Sequence, residues 1–77
     1  MTSLHRNIRR LREAAELTSS AAADSAGISQ GTWSDIERGK NTNPTPRTLE
    51  KIAAALGVSL AELFVDEKGE SVTLDSQ

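Results

Sequence analysis

The 77 residues include no cysteine and no tyrosine, one tryptophan, one phenylalanine, one histidine and two prolines. Without cysteine there is neither a disulfide staple nor a thiolate metal site. His5 is the only histidine, no metal-ligand spacing occurs, and no glycine-rich loop is built to cradle phosphate, so neither an enzyme nor a cofactor is expected. Glu13 and Glu16 are close along a helix but read as a solvated face with no pocket implied. No apolar run approaches 18 residues, and the opening MTSLHRNIRR has no apolar signal core. Neither a membrane span nor a secretory signal is therefore expected, and a cytoplasmic protein is the default. An excess of positive charge is missing too. Nine basic side chains face eleven acidic ones, whereas a basic total is the usual first sign of a nucleic-acid binder.

The distribution of that charge says more than its sum. Residues 1–61 carry eight basic and six acidic groups, a net of +2; residues 62–77 carry one basic and five acidic groups, a net of −4. The acidity sits at the C-terminal end, so the body can present a locally positive surface. A chain this short makes one small domain, burying about 60% of its unfolded surface.

Apolar periodicity divides that domain into helices. Leu4, Ile8, Leu11 and Ala15 recur at helical spacing, with Thr2 or Ser3 as cap, and predict a first helix over about residues 4–16. Its outer face carries Arg6, Arg9, Arg10 and Glu13, for which solvation and phosphate contact are equally good readings. Arg12 lies on the flank of the apolar stripe and reads as structural. Thr18 caps a second helix from Ser19 to Ala26, stopped by Gly27. Its body, SSAAADSA, is strongly helical yet has little side-chain volume to bury. A large residue from elsewhere must fill the gap, and Trp33 is read as that core filler rather than as a platform for stacking bases. After Gly39, the loop KNTNPTP leads to a helix capped by Thr45 with Pro46 at its first position. Leu49, Ile52, Ala53 and Leu56 are its buried stripe, and Gly57 ends it. Ser59 with Glu62 makes a capping box, and Val58 with Leu63 a staple, for a short fifth helix through about Val65. The expectation is an all-α domain over residues 1–65 with an acidic tail, 66–77. That tail is either disordered or, through Val72, Leu74 and the turn at Lys68-Gly69, a β arm for a second subunit.

The stretch ISQGTWSDIERG, residues 28–39, organises the rest. Ser29 is a strong N-cap, Ile28 and Trp33 have the spacing of a hydrophobic staple, and Gly39 is a left-handed stop. A helix over about residues 29–38 then buries Trp33 and Ile36. It turns Gly31, Ser34, Asp35 and Arg38 outward, with Gln30 beside them. That face is polar, short-chained and nearly free of long charged residues, which marks a contact surface. Gly31 costs roughly 1 kcal/mol of helix propensity and leaves room for close approach. A Gln30 amide can match the adenine edge in the major groove, and Thr32 and Ser34 can bond bases or phosphates. The backbone N–H groups at the start of such a helix suit a phosphate.

With IRRLR, LTSSAAADSAGISQGTWSDIERGK and TLEKIAAALGVSLAELF in view, residues 8–64 resemble the Cro and phage-repressor family of helix-turn-helix transcriptional regulators (XRE-type). The resemblance implies a compact five-helix lambda-repressor-like domain whose second and third helices form the motif, here about residues 19–38. It implies an internal ion pair between Arg12 and Glu37. It places Gln30, Gly31, Thr32 and Asp35, with Ser34 beside them, where family members read bases. Ser19, Ser29, Arg38, Lys40, Asn41, Thr42, Asn43 and Arg47 fall where the family grips phosphate. The chain departs from the family pattern at three places: Ser19 stands where glutamine is usual, Ala22 where a large aliphatic is usual, and Pro46 where an apolar residue is usual, after a loop about one residue longer. The implied function is a sequence-specific regulator, a repressor binding a two-fold-related double-stranded operator as a homodimer, with Leu60, Phe64 and Val65 as candidate dimer contacts. No small-molecule ligand is expected. The competing reading is a protein-interaction module, such as an antitoxin or an anti-repressor partner, with weak DNA binding. Net acidity, the acidic tail and Asp35, a carboxylate on the outward face, favour it.

Overall fold

Four N-caps fix where the helices start. The structure, a computed structural model, describes residues 3–41, 43–66 and 69. It contains α1 (Leu4–Ala14), α2 (Ser19–Ala26), α3 (Gln30–Glu37), α4 (Pro46–Leu56) and a closing 3-10 helix, Leu60–Phe64. The hydroxyls of Thr18, Ser29, Thr45 and Ser59 each accept the backbone N–H three residues on, satisfying a donor that the first helical turn leaves orphaned. Pro46 occupies the first turn of α4, where its missing N–H costs nothing. Ser3 stands at the N-cap of α1 without a side-chain capping bond.

Two elements differ from what the periodicity predicts. α1 stops at Ala14 rather than residue 16. Glu16 takes a left-handed backbone at φ 59°, the only non-glycine among the described residues to do so, and the Leu17 N–H closes the turn onto the Arg12 carbonyl at 3.2 Å. The reversal returns Leu17 to the core, which it packs against. The fifth helix is a single 3-10 segment, so the chain has four α-helices and not five. Five residues ending in extended Val65 (φ −126°, ψ 124°) are too few to settle into α geometry. The tail alternatives, and Thr42, fall on residues outside those described.

α2 packs against α3 and α4, α1 against α3 and the 3-10 helix, and α4 against the 3-10 helix. One core cluster joins Leu4 and Ile8 of α1, Ala22, Ala23 and Ala26 of α2, Trp33 and Ile36 of α3, Leu49, Ile52, Ala53 and Leu56 of α4, and Leu63. Trp33 is fully buried. Its bulk lies in the same cluster as the alanine face of α2, which has too little volume to fill the space alone.

Asn7 closes the fold. It is fully buried, and its amide donates to the carbonyls of Leu63 at 2.8 Å and Val65 at 3.1 Å. Its Oδ1 accepts from Arg10 Nε at 3.1 Å and Nη2 at 2.7 Å. One side chain thus satisfies the end of the 3-10 helix, which lies more than 50 residues away in sequence.

Candidate nucleic-acid interface

The turn between α2 and α3 sets the angle at which α3 is presented. Gly27 sits at φ 72°, and Ile28 N–H bonds the Ala23 carbonyl at 3.0 Å, the αL stop that a β-carbon would strain. Ser29 then starts α3. Its Oγ accepts from the Thr32 N–H at 3.1 Å and donates to Thr32 Oγ1 at 2.8 Å.

With Trp33 and Ile36 turned into the core, the opposite side of α3 is open. Gln30, Gly31, Asp35 and Arg38 are exposed, and Thr32 and Ser34 are half-buried at its edges. Lys40, Asn41 and Asn43 in the following loop are exposed, as is Arg47 in the first turn of α4; Ser19, first in α2, is half-buried. Lys40 and Asn41 both donate their backbone N–H to the Asp35 carbonyl, at 2.9 and 3.1 Å, so the loop is pinned to the end of α3. Three exposed cations, Arg38, Lys40 and Arg47, therefore belong to α3, its loop and the start of α4.

A buried ionic network holds α3 to α1. Arg12 Nε meets Glu37 Oε2 at 2.6 Å and Nη2 meets Oε1 at 3.2 Å, a two-pronged contact with the side chains only 15% and 10% exposed. Arg12 Nη1 donates to the Leu17 carbonyl at 2.7 Å, tying in the α1–α2 corner. The Trp33 indole N–H donates to Glu37 Oε2. The bond to Glu37, opposed by burial and helped by the charges of Glu37 and Glu13, raises the Arg12 pKa above its ordinary value. Arg12 is therefore always charged, and Glu37 is its counter-ion.

Sequence reasoning missed three participants. The indole nitrogen of Trp33 gave no signal, because staple spacing reports the apolar ring and not its polar edge. His5, expected in a fraying first turn, lies over Gly39: a β-carbon there would stand 3.3 Å from the imidazole ring. Arg10, read as part of the outer face of α1, instead bonds Asn7. Of the remaining arginines on that face, Arg9 meets Glu13 at 3.5 Å in an exposed pair, and Arg6 is exposed.

A second surface lies away from α3. Leu60 and Val65 are the exposed large apolar side chains among the described residues, while Phe64 is half-buried against the core. Beside them runs an open cleft of about 260 Å³ lined by Arg10, Leu11, Glu62, Val65 and Asp66. Among the described residues no three potential ligands are placed to hold a metal ion, and no helix is long and apolar enough to cross a membrane.

A helix capped at its start, stopped by glycine, set on a Gly turn and clamped to the first helix is the arrangement of a helix-turn-helix. The family described as "Helix-turn-helix domain" matches residues 4–63. The chain belongs to that family. Within it, this helix-turn-helix domain is 41% identical over 64 residues to the uncharacterized HTH-type transcriptional regulator RghRB of Bacillus subtilis (strain 168), covering 83% of this chain and 46% of RghRB. It is 46% identical over 57 residues to the uncharacterized HTH-type transcriptional regulator y4dJ of Sinorhizobium fredii, covering 74% of this chain and 73% of y4dJ. Its fold is similar to the N-terminal DNA-binding domain of SinR from Bacillus subtilis, with a TM-score of 0.76 and 37% identity over 87% of this chain and 96% of that one. The chain spans less than half the length of RghRB and of full-length SinR. The structural neighbours are regulators of the Cro and repressor class, the P22 c2 repressor in complex with an operator among them.

Proposed function

We propose that this domain is a sequence-specific double-stranded DNA-binding transcriptional regulator, a repressor that binds a two-fold-related operator as a homodimer and lays α3 in the major groove. The observation that carries this reading is the exposed short-chained face of α3, Gln30, Gly31 and Asp35 with Thr32 and Ser34 at its edges, on a helix whose back is fixed by Trp33, Glu37 and Arg12. In this role Gln30 offers its amide to an adenine edge, and Asp35 accepts from a cytosine N4 amine, since any other placement sets a carboxylate against phosphate. Arg38, Lys40, Asn41, Asn43 and Arg47 flank that face and hold phosphates, with Thr42 completing the loop. Ser19 and Ser29 present the first turns of α2 and α3 to the backbone. Leu60 and Val65 supply the apolar contact between two copies and Phe64 supports it from below, setting the half-sites about 34 Å, one helical turn, or a multiple of that, apart. The DNA-binding domain in this assignment is residues 1–65, with the acidic tail outside it, in a cytoplasmic protein without a cofactor or small-molecule ligand.

Asp35 also supports a second reading, a protein-interaction module such as an antitoxin or anti-repressor partner with weak DNA binding, because an exposed carboxylate at the centre of the face lowers affinity for arbitrary DNA. Selection from a random duplex library at low salt, followed by salt titration of the winner, separates the two. Enrichment of a two-fold-symmetric site, with log K falling steeply as salt rises, supports the regulator. Failure of folded protein to enrich any site supports the partner module.

A further inference from the structure

Gly31 has no reason to be glycine that the fold supplies. Gly27 and Gly39 take left-handed backbone angles, but Gly31 lies inside α3 and is not among the glycines with positive φ. Packing does not demand it either. A β-carbon built there would meet only Ser29 Oγ, at 3.9 Å, an ordinary van der Waals separation, and the residue is exposed. A helical glycine weakens its helix relative to alanine through the entropy lost on folding, so this residue costs stability and gains no internal contact. The missing side chain must serve something outside the chain. Its neighbours locate that surface: Gln30 precedes it, and Ser34 and Asp35, one turn on, lie on the same side.

We infer that Gly31 is the point of closest approach between α3 and duplex DNA, where carbon-bound hydrogens of the duplex rest against bare helix backbone; this rests on the DNA-binding reading above. A Cα without a side chain offers neither donor nor acceptor, so the group it receives is apolar. In a duplex that group is either the 5-methyl of a thymine in the groove or a deoxyribose of the adjoining strand. Gly31 therefore determines specificity by exclusion, since any β-carbon would hold the other contacts of α3 out of reach.

The test compares wild type with Gly31→Ala and Gly31→Ser, measuring Tm and the Kd for the selected duplex, for the same duplex with deoxyuridine in place of thymidine, and for an arbitrary duplex at the same salt. For Gly31→Ala the expected result is a Tm raised by about 4 °C together with a tenfold or greater loss of affinity for the selected duplex. Recovery on the deoxyuridine duplex identifies the thymine methyl. A loss that is equal on all three identifies the deoxyribose. Wild-type affinity in both variants, or a lowered Tm showing that the glycine serves the fold, overturns the inference while leaving DNA binding intact. If folded wild type binds no duplex, the DNA-binding reading itself fails and takes the inference with it.

Discussion

Breaking the Arg12–Glu37 pair should cost far more than a surface ion pair does. The two side chains are 15% and 10% exposed and joined at 2.6 and 3.2 Å. Glu37→Ala leaves a guanidinium with one remaining carbonyl partner, Leu17, and removes the acceptor of the Trp33 indole N–H. An uncompensated buried charge costs about 3–5 kcal/mol. The low end applies here because some solvent reaches both groups, so about 3 kcal/mol is expected for Glu37→Ala and a similar loss for Arg12→Met. A domain of this size has about 4–12 kcal/mol of stability in all, and the corresponding fall in Tm is roughly 10–20 °C. The assay is urea unfolding at neutral pH, read from the midpoint with the slope unchanged. The double variant Arg12→Met/Glu37→Met should recover at least about 2 kcal/mol of the summed single losses, because no charge is then left buried alone. Arg9→Ala is the control. Its pair with Glu13 is 64% and 58% exposed, and its loss should stay within about 0.5 kcal/mol. Single losses below about 1 kcal/mol, or simple additivity in the double variant, would refute the reasoning.

Three further substitutions probe other parts of the structure. Glu16→Gly should stabilise the domain by about 1 kcal/mol, since a left-handed backbone strains any residue with a β-carbon; a lower Tm would show that Glu16 makes a contact worth more than that strain. Asn7→Ala should cost about 2–3 kcal/mol by orphaning the carbonyls of Leu63 and Val65 and opening a buried cavity, and a loss under about 1 kcal/mol in urea unfolding would mean that water replaces the amide. Asp35→Asn should raise affinity for arbitrary duplexes and relax base choice at one position, as measured by fluorescence anisotropy; unchanged or weaker binding would count against a groove-facing carboxylate.

Local chemistry made the helix starts and two of the stops legible in the sequence. Thr18, Ser29, Thr45 and Ser59 cap through bonds to residues only three positions away, and such signals survive in a linear reading. The αL stops at Gly27 and Gly57 are equally local. Burial of Trp33 followed from a volume argument about the alanine face of α2. What escaped the reading depends on distant parts of the chain. Asn7 is polar, and nothing near it in sequence says that carbonyls 56 and 58 residues on will need its amide; Arg10 was misread for the same reason. Glu16 adopts a conformation its residue type disfavours, so propensity carried the first helix two residues too far. The last helix has convincing cap and staple spacing, but those features mark where a helix begins and do not choose between α and 3-10 geometry over five residues. The outward face of α3 was legible because a short polar face on a helix with two large apolar residues on its back is rare among solvated helices.

The measurement that tests the central claim most directly is a thermodynamic cycle across the interface. Wild type and Gln30→Ala are each titrated with the selected duplex and with a version in which the base pair assigned to Gln30 is replaced. If α3 lies in the groove with Gln30 on that base, wild type loses about 1–3 kcal/mol on the replaced duplex and Gln30→Ala loses almost nothing. Equal losses in the two proteins, so that protein and base changes simply add, would contradict the placement of α3 against the bases.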